Sequence, residues 1–158
     1  MKALAIRQPY ASLVISGVKQ VENRSWATHY RGPLAIYASK AFTAADMRDE
    51  RAVCEKNGTA WPGEFPTGVI LGVVDLVGIF HESGQDEKPD FALDDIGQNY
   101  SFLKRADKSA VMAAGLNLTY YDYGAIGWVF ANPRPIQLVR FSGRLGLFEI
   151  PDDLIKVP

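Results

Sequence analysis

The most informative segment of the chain reads Gly17-Val18-Lys19-Gln20-Val21-Glu22-Asn23-Arg24-Ser25-Trp26. Gly17 is a natural C-terminal stop for a helix, and a few residues later the pattern changes to a period of two. That period predicts a strand over 21–26 with Glu22, Arg24 and Trp26 on one face. A lysine, a carboxylate and a guanidinium are therefore concentrated in a short stretch of chain.

This group of charged side chains supports two interpretations. Lys19 and Arg24 can hold a phosphate, while Glu22 can accept hydrogen bonds from a base edge or act as a general acid or base. The alternative is a surface ion-pair ladder with Trp26 covering the core. Spacing alone favours the ladder, because exposed ion pairs are common and weakly informative.

Outward from this segment, short apolar stretches alternate with a few helical patterns. Strands are predicted at 3–6, 34–39, 68–80, 125–131, 135–141 and 147–150, and helices at 9–17, 43–56 and 102–114. The polar, acidic segment 82–95 is an insertion or lid candidate. Many strands with a few helices packed around them predict a barrel-like α+β fold. With no repeat or linker, the 158 residues are predicted to form one domain, 1–158.

Charge is distributed unevenly along the chain, although the net charge is only −1. Residues 1–40 hold six basic residues and one acidic residue, a net charge of +5, while residues 41–158 hold 11 basic and 17 acidic residues, a net charge of −6. This asymmetry indicates a local site for an anionic ligand on a neutral scaffold. A solvated basic face is the alternative.

Metal and cofactor motifs are absent from the sequence. The two histidines and the single cysteine show no ligand spacing, and neither a P-loop nor a Rossmann glycine motif occurs, so no cofactor is predicted. The lone Cys54 excludes an internal disulfide and fits a reducing compartment, which predicts a cytoplasmic location. The longest apolar run, 68–80, contains Asp75 and is too short to span a bilayer, so no membrane partner is predicted.

Four motifs occur in an order that resembles the N-terminal signature of ASCH domains (activating-signal-cointegrator homology). They are Ile6-Arg7-Gln8-Pro9-Tyr10-Ala11-Ser12-Leu13, Gly17-x-Lys19-x-x-Glu22-x-Arg24-x-Trp26, Tyr30-Arg31-Gly32-Pro33 and Ile36-Tyr37-Ala38-Ser39-Lys40. The resemblance covers most of the chain except about 82–120, which we treat as a variable insertion. It implies an α+β fold, a PUA-like β-barrel with flanking helices, and a cleft lined by Lys19, Glu22 and Arg24.

The resemblance also implies a range of functions. Family members are linked to RNA binding and transcriptional coactivation, and bacterial members to ribonuclease activity. A small bacterial branch removes an acetyl group from acetylcytidine with a lysine, a threonine three residues later and an acid. This chain has Lys19 at the lysine position but Glu22 at the threonine position. If the protein is an enzyme, we expect Lys19 and Glu22 to be its catalytic pair.

Further binding residues are expected around this site, each with a structural alternative. Ser39 and Lys40 end a strand and can contact phosphate, or simply form an exposed strand terminus. Gln8 can bond a base or the loop backbone. Tyr121 lies in an aromatic cluster that can stack on bases or pack around a barrel mouth. With Arg24 and Trp26, these residues complete the predicted binding set.

Three functional hypotheses remain open at this point. The first is a module that binds RNA or a nucleotide in a basic cleft, with lysines and arginines on phosphate and aromatic rings on bases. The second is a metal-independent hydrolase acting on RNA or a modified nucleoside. The third is a protein-interaction adaptor with a role similar to that of a coactivator. The sequence leaves the oligomeric state undetermined.

Overall fold

The computed structural model describes residues 1–81, 118–122 and 124–156, with the side chain of His81 excluded. The chain divides into two compact units, and each unit is made of more than one segment of the sequence. The first unit comprises Met1–Val18, Pro33–Val74 and Asn132–Pro158, and the second comprises Lys19–Gly32 and Asp75–Ala131. In the described residues, no helix is both long and apolar enough to cross a membrane. The predicted helix at 102–114 and most of the predicted insertion lie outside the described residues.

Six strands and two α-helices make up the described secondary structure. In chain order they are β1 (Lys2–Ile6), α1 (Tyr10–Ile15), β2 (Val21–Arg24), β3 (Gly32–Ala38), α2 (Ala44–Asn57), β4 (Val69–His81), β5 (Ile126–Arg140) and β6 (Leu147–Glu149), followed by a 3₁₀ turn at Asp152–Leu154. The strand order in the first unit is β5-β4-β3-β1-β6, and in the second it is β2-β5-β4.

The first unit is built on β1, which is buried along nearly its whole length. It pairs in parallel with β3, placing Ala3 beside Ala35, and antiparallel with β6, placing Ala3 beside Phe148. A strand covered on both sides needs apolar residues at successive positions, and the sequence of β1 supplies them. Tyr37, Ile70 and Phe148 join the alanines in the core of this unit.

Both described helices lie in the first unit, and the two ends of α2 are determined by residues at those ends. Thr43 caps α2 by accepting a hydrogen bond from the Asp46 backbone N–H at 3.0 Å, and Gly58 ends the helix with a φ of +66°. On α1, Tyr10 donates a hydrogen bond of 3.0 Å to Glu50. Burial, and then the Glu50 carboxylate, raise the pKa of Tyr10 above its ordinary value, so its hydroxyl stays protonated as a donor.

A close approach of backbones in the first unit fixes the identity of Gly72 in β4. A Cβ atom at this position would lie 2.5 Å from the carbonyl oxygen of Arg134 and 3.0 Å from the Cα of Pro135. Real Cβ atoms do not approach other atoms so closely, so glycine alone fits without movement of β5.

The second unit has its own core around β2. In the antiparallel register Val21 faces Val129 and Glu22 faces Trp128. Val21 and Val129 form a buried cluster with Phe80 and Tyr121. Phe80 and Tyr121 contribute a ring pair with centroids 4.6 Å apart.

One expectation about the strands is wrong. The sequence pattern predicts two strands at 125–131 and 135–141, but β5 is a single strand of 15 residues that includes Pro133 and Pro135. Asn132 absorbs the irregularity with a φ of +49°. The register with β2 covers only Ile126–Val129, so both prolines lie beyond the part of β5 that pairs with β2.

Candidate functional site

Lys19 lies in the interior of the second unit, with a side chain only 2% exposed. Its amine donates to the carbonyl oxygen of Val21 and lies 3.0 Å from a carboxylate oxygen of Glu22. The ring of Tyr120 covers it, with the amine 5.9 Å from the ring centroid. A buried ammonium needs such partners, because an uncompensated charge in the interior is strongly destabilising.

Glu22 connects two cations. One of its oxygens faces Lys19, and the other lies 3.5 Å from a terminal nitrogen of Arg24. The Glu22 side chain is 12% exposed and that of Arg24 is 18% exposed, so the charged group becomes more accessible from Lys19 towards Arg24. We call these three residues the charge cluster. The structure brings them together, but as a largely buried network and not as an open ladder.

Two tryptophans lie next to the charge cluster. Trp128 is opposite Glu22 in the β2–β5 register and is completely buried. Its indole N–H donates to the carbonyl oxygen of Trp26 at 3.1 Å, and the two rings meet edge to face with centroids 4.7 Å apart. Trp26 is half-buried, so it packs on the core and also keeps part of its ring at the surface.

A segment distant in sequence closes over β2. Asn23 donates from its amide to the carbonyl oxygen of Tyr120 at 2.7 Å and accepts from the backbone N–H of Asp122 at 2.8 Å. These bonds hold the ring of Tyr120 against Lys19. Sequence reasoning missed Asn23 and Tyr120 as parts of the site. The density of aromatic residues at 119–123 was the only signal for them.

Tyr121 has a structural position that does not support the predicted stacking role. It is buried in the core cluster of the second unit, and its hydroxyl donates to the carbonyl oxygen of Ala125 at 2.8 Å. Stacking on a base requires an exposed ring face, and that face is occupied by Phe80.

The remaining predicted residues lie in the first unit. Gln8 is fully buried, and its amide bonds Ser12 at 2.9 Å and the carbonyl oxygen of Pro66 at 2.8 Å, which corresponds to the structural alternative for this residue. Ser39 and Lys40 line a cleft of about 650 Å³. The predicted set is thus divided: Gln8, Ser39 and Lys40 belong to the first unit and the others to the second.

The charged groups of the cluster are engaged with one another and with the backbone. The amine of Lys19 already donates to the carbonyl oxygen of Val21 and lies 3.0 Å from a carboxylate oxygen of Glu22. The other carboxylate oxygen of Glu22 faces Arg24. Within the described ranges, no group of three or more His, Cys, Asp or Glu side chains is arranged to hold a metal ion.

Comparison with known proteins identifies relatives of this chain. A family model for the ASCH domain matches residues 4–140. Activating signal cointegrator 1 from Mus musculus is 32% identical over 94 residues, which is 56% of this chain and 16% of that protein. The Homo sapiens protein of the same name is 35% identical over 78 residues, 47% of this chain and 13% of that protein. The chain thus spans less than a fifth of the length of these two relatives.

Solved structures with the same fold come from a bacterium. Crystal structures of two point mutants of ZmASCH from Zymomonas mobilis each match with a TM-score of 0.50, at 12% and 11% identity. Each match covers 97% of this chain, and 89% and 91% of the respective neighbours. At such identity the likeness concerns the fold alone. It confirms the predicted α+β fold class, a PUA-like β-barrel with flanking helices.

Proposed function

Because this chain belongs to the ASCH domain family, we propose that it is an RNA-binding module. Its second unit recognises a single-stranded RNA segment or a nucleotide beside the charge cluster. The observation that carries this proposal is that two cations share one carboxylate. The three side chains bring two basic groups and one carboxylate to one place, and Arg24 is the most exposed of the three.

In this proposal Arg24 binds the phosphate of the ligand and Trp26 contacts a base. The guanidinium of Arg24 is held in place by Glu22, so little side-chain entropy is lost when it takes a phosphate oxygen. Trp26 offers the exposed part of a ring already fixed on Trp128, and a base can stack against it. Lys19 contacts Glu22, and Glu22 in turn fixes the orientation of Arg24.

Binding is favoured over hydrolysis by the same geometry. A metal-independent hydrolase of this type would need Glu22 as a proton acceptor and Lys19 as a stabiliser of negative charge. Both groups are already engaged with each other at 3.0 Å, and Glu22 also faces Arg24. We therefore assign the charge cluster to positioning a ligand.

Arg24→Gln is expected to weaken binding of a fluorescently labelled single-stranded RNA by about tenfold, because one charge-assisted contact to phosphate is lost. The slope of log Kd against log salt concentration should become shallower by about 0.7, the value for one single-strand phosphate. Fluorescence anisotropy at several salt concentrations measures both quantities, and a gel of the same mixtures reports any cleavage.

Arg48→Gln is the matched control for this experiment. Arg48 is exposed on α2 in the first unit, and its Nε lies 3.1 Å from a carboxylate oxygen of Asp49. Its replacement should leave both the affinity and the salt slope unchanged. Equal affinities for wild type and Arg24→Gln at low salt would remove Arg24 from the interface, and steady RNA cleavage would replace the binding proposal with the hydrolase.

A further inference from the structure

The cleft in the first unit is formed where three distant parts of the chain are tied together. The backbone N–H of Gly68 donates to the carbonyl oxygen of Ala38 at 2.7 Å, and the carbonyl oxygen of Gly68 accepts from the N–H of Phe141 at 3.2 Å. The end of β3, the start of β4 and the loop after β5 therefore meet at one residue. Gly68 has a φ of +69°, a conformation that suits glycine.

Three cationic side chains line this cleft, namely Lys40, Arg140 and Arg144. Among the lining residues that the structure describes there is no aspartate or glutamate. Within residues 1–81, 118–122 and 124–156, none of the three cations forms an ion pair or a side-chain hydrogen bond. Several other basic residues of this unit are paired; for example, Lys2 pairs with Glu149 and Arg7 with Asp46.

Three like charges in one concavity repel one another and raise the local positive potential, which favours an anion between them. The stem of Lys40 lies along Gly68, because a Cβ built on that glycine would be 3.3 Å from the Cε of Lys40. The glycine thus leaves room for the lysine at the wall of the cleft. Hydroxyl groups of Ser39 and Ser142 add further hydrogen-bond donors to the lining.

Aromatic and apolar side chains also line the cleft. Tyr37 and Phe141 line it, and both rings pack on Phe148, with centroids 5.9 Å and 6.0 Å away. Gly143 presses against Tyr37, because a Cβ on this glycine would lie only 2.3 Å from the tyrosine ring. Leu145, 92% exposed, lies at the rim. A ligand with both a phosphate and a flat apolar part matches these walls, and the volume of about 650 Å³ is typical of small-ligand sites.

We propose that the Lys40–Arg140–Arg144 cleft of the first unit is a second ligand site that binds the phosphate of a nucleotide. The nucleotide is either free or part of an RNA strand, and the RNA case rests on the function proposed above. Arg140 and Arg144 hold the phosphate oxygens, Lys40 adds a further positive charge, and the aromatic lining residues contact the base or sugar.

Isothermal titration of the 158-residue chain with cytidine 5′-monophosphate tests this site. We expect the nucleotide to bind and unphosphorylated cytidine to bind at least tenfold more weakly. The double variant Arg140→Gln/Arg144→Gln should lose about a hundredfold in affinity for the nucleotide, roughly tenfold for each charge-assisted contact. Arg51→Gln, an exposed arginine on α2 paired with Glu55 at 3.3 Å, should bind as wild type does.

Short RNA strands distinguish the two sources of phosphate. If a strand with a 5′-phosphate loses affinity in the double variant while its 5′-hydroxyl counterpart does not, the site takes a terminal or free phosphate. If both strands lose affinity equally, it takes the backbone. Equal binding of cytidine 5′-monophosphate by wild type and double variant, or no detectable binding by wild type, overturns the proposal.

Arg24→Gln separates this proposal from the previous one. It should weaken RNA binding, and the roughly hundredfold loss of cytidine 5′-monophosphate affinity caused by Arg140→Gln/Arg144→Gln should be the same in its presence as in its absence. If RNA binding depends on Arg24 but not on Arg140 and Arg144, and no nucleotide binds, the cleft proposal is refuted and the charge-cluster proposal is not. If nucleotide binding depends on Arg140 and Arg144, and RNA binding does not change in Arg24→Gln, the charge-cluster proposal is refuted and the cleft proposal is not.

Discussion

Glu22→Gln is expected to lower the free energy of unfolding by about 3 kcal/mol, the lower end of the cost of removing one partner from a buried ion pair. The loss arises because the side chain of Lys19 is only 2% exposed. Without Glu22, its amine stays buried but no longer has the carboxylate that lies 3.0 Å away. Urea denaturation followed by tryptophan fluorescence measures it, since Trp26 and Trp128 lie in the same unit.

A second substitution tests the cause of this loss. Lys19→Met combined with Glu22→Gln removes the buried charge as well as its partner, and should recover most of the stability. Glu55→Gln, on the exposed face of α2, is the matched control and should change stability by less than about 0.5 kcal/mol. If Glu22→Gln is as harmless as Glu55→Gln, the ion pair does not stabilise the second unit and the burial of Lys19 needs another explanation.

Gly72→Ala is expected to destabilise the protein by about 3 kcal/mol, at the upper end of the range for an overpacked core site. The added methyl group would meet the carbonyl oxygen of Arg134 at 2.5 Å and the Cδ1 of Ile15 at 2.9 Å. The carbonyl belongs to the backbone of β5 and cannot rotate away as a side chain can. The midpoint of urea denaturation, compared with that of wild type, measures the effect.

Gly63→Ala provides the comparison for this change. Gly63 has ordinary φ and nothing within 4 Å of the position that a Cβ would occupy, so alanine should be neutral or slightly stabilising there. A loss below about 1 kcal/mol at Gly72 would show that β4 and β5 can separate there at little cost, against the overpacking argument.

Features with local causes could be predicted from the sequence. The period-two pattern placed Glu22 and Arg24 on one face of β2, as the register with β5 shows. A helix was predicted to begin at 43, and the threonine there accepts the capping hydrogen bond of α2. In each case the information lies within a few residues of the feature it determines.

Features that depend on distant parts of the chain could not be predicted. Spacing favoured an exposed ladder at Lys19, yet Tyr120, about a hundred residues away, covers the lysine. Lys40 meets Arg140 and Arg144 only through the hydrogen bonds of Gly68, and nothing in the local pattern indicates this. The continuity of β5 through two prolines depends on which partner strand lies alongside, and that too is a tertiary property.

The burial of Lys19 makes this residue a reporter of motion in the second unit. An amine that is 2% exposed and enclosed by a carbonyl, a carboxylate and an aromatic ring is shielded from acylating reagents while the native packing lasts. The exposed Lys40 and Lys56 react directly from the folded state. The labelling rate of Lys19 relative to these two lysines therefore measures how often the second unit opens.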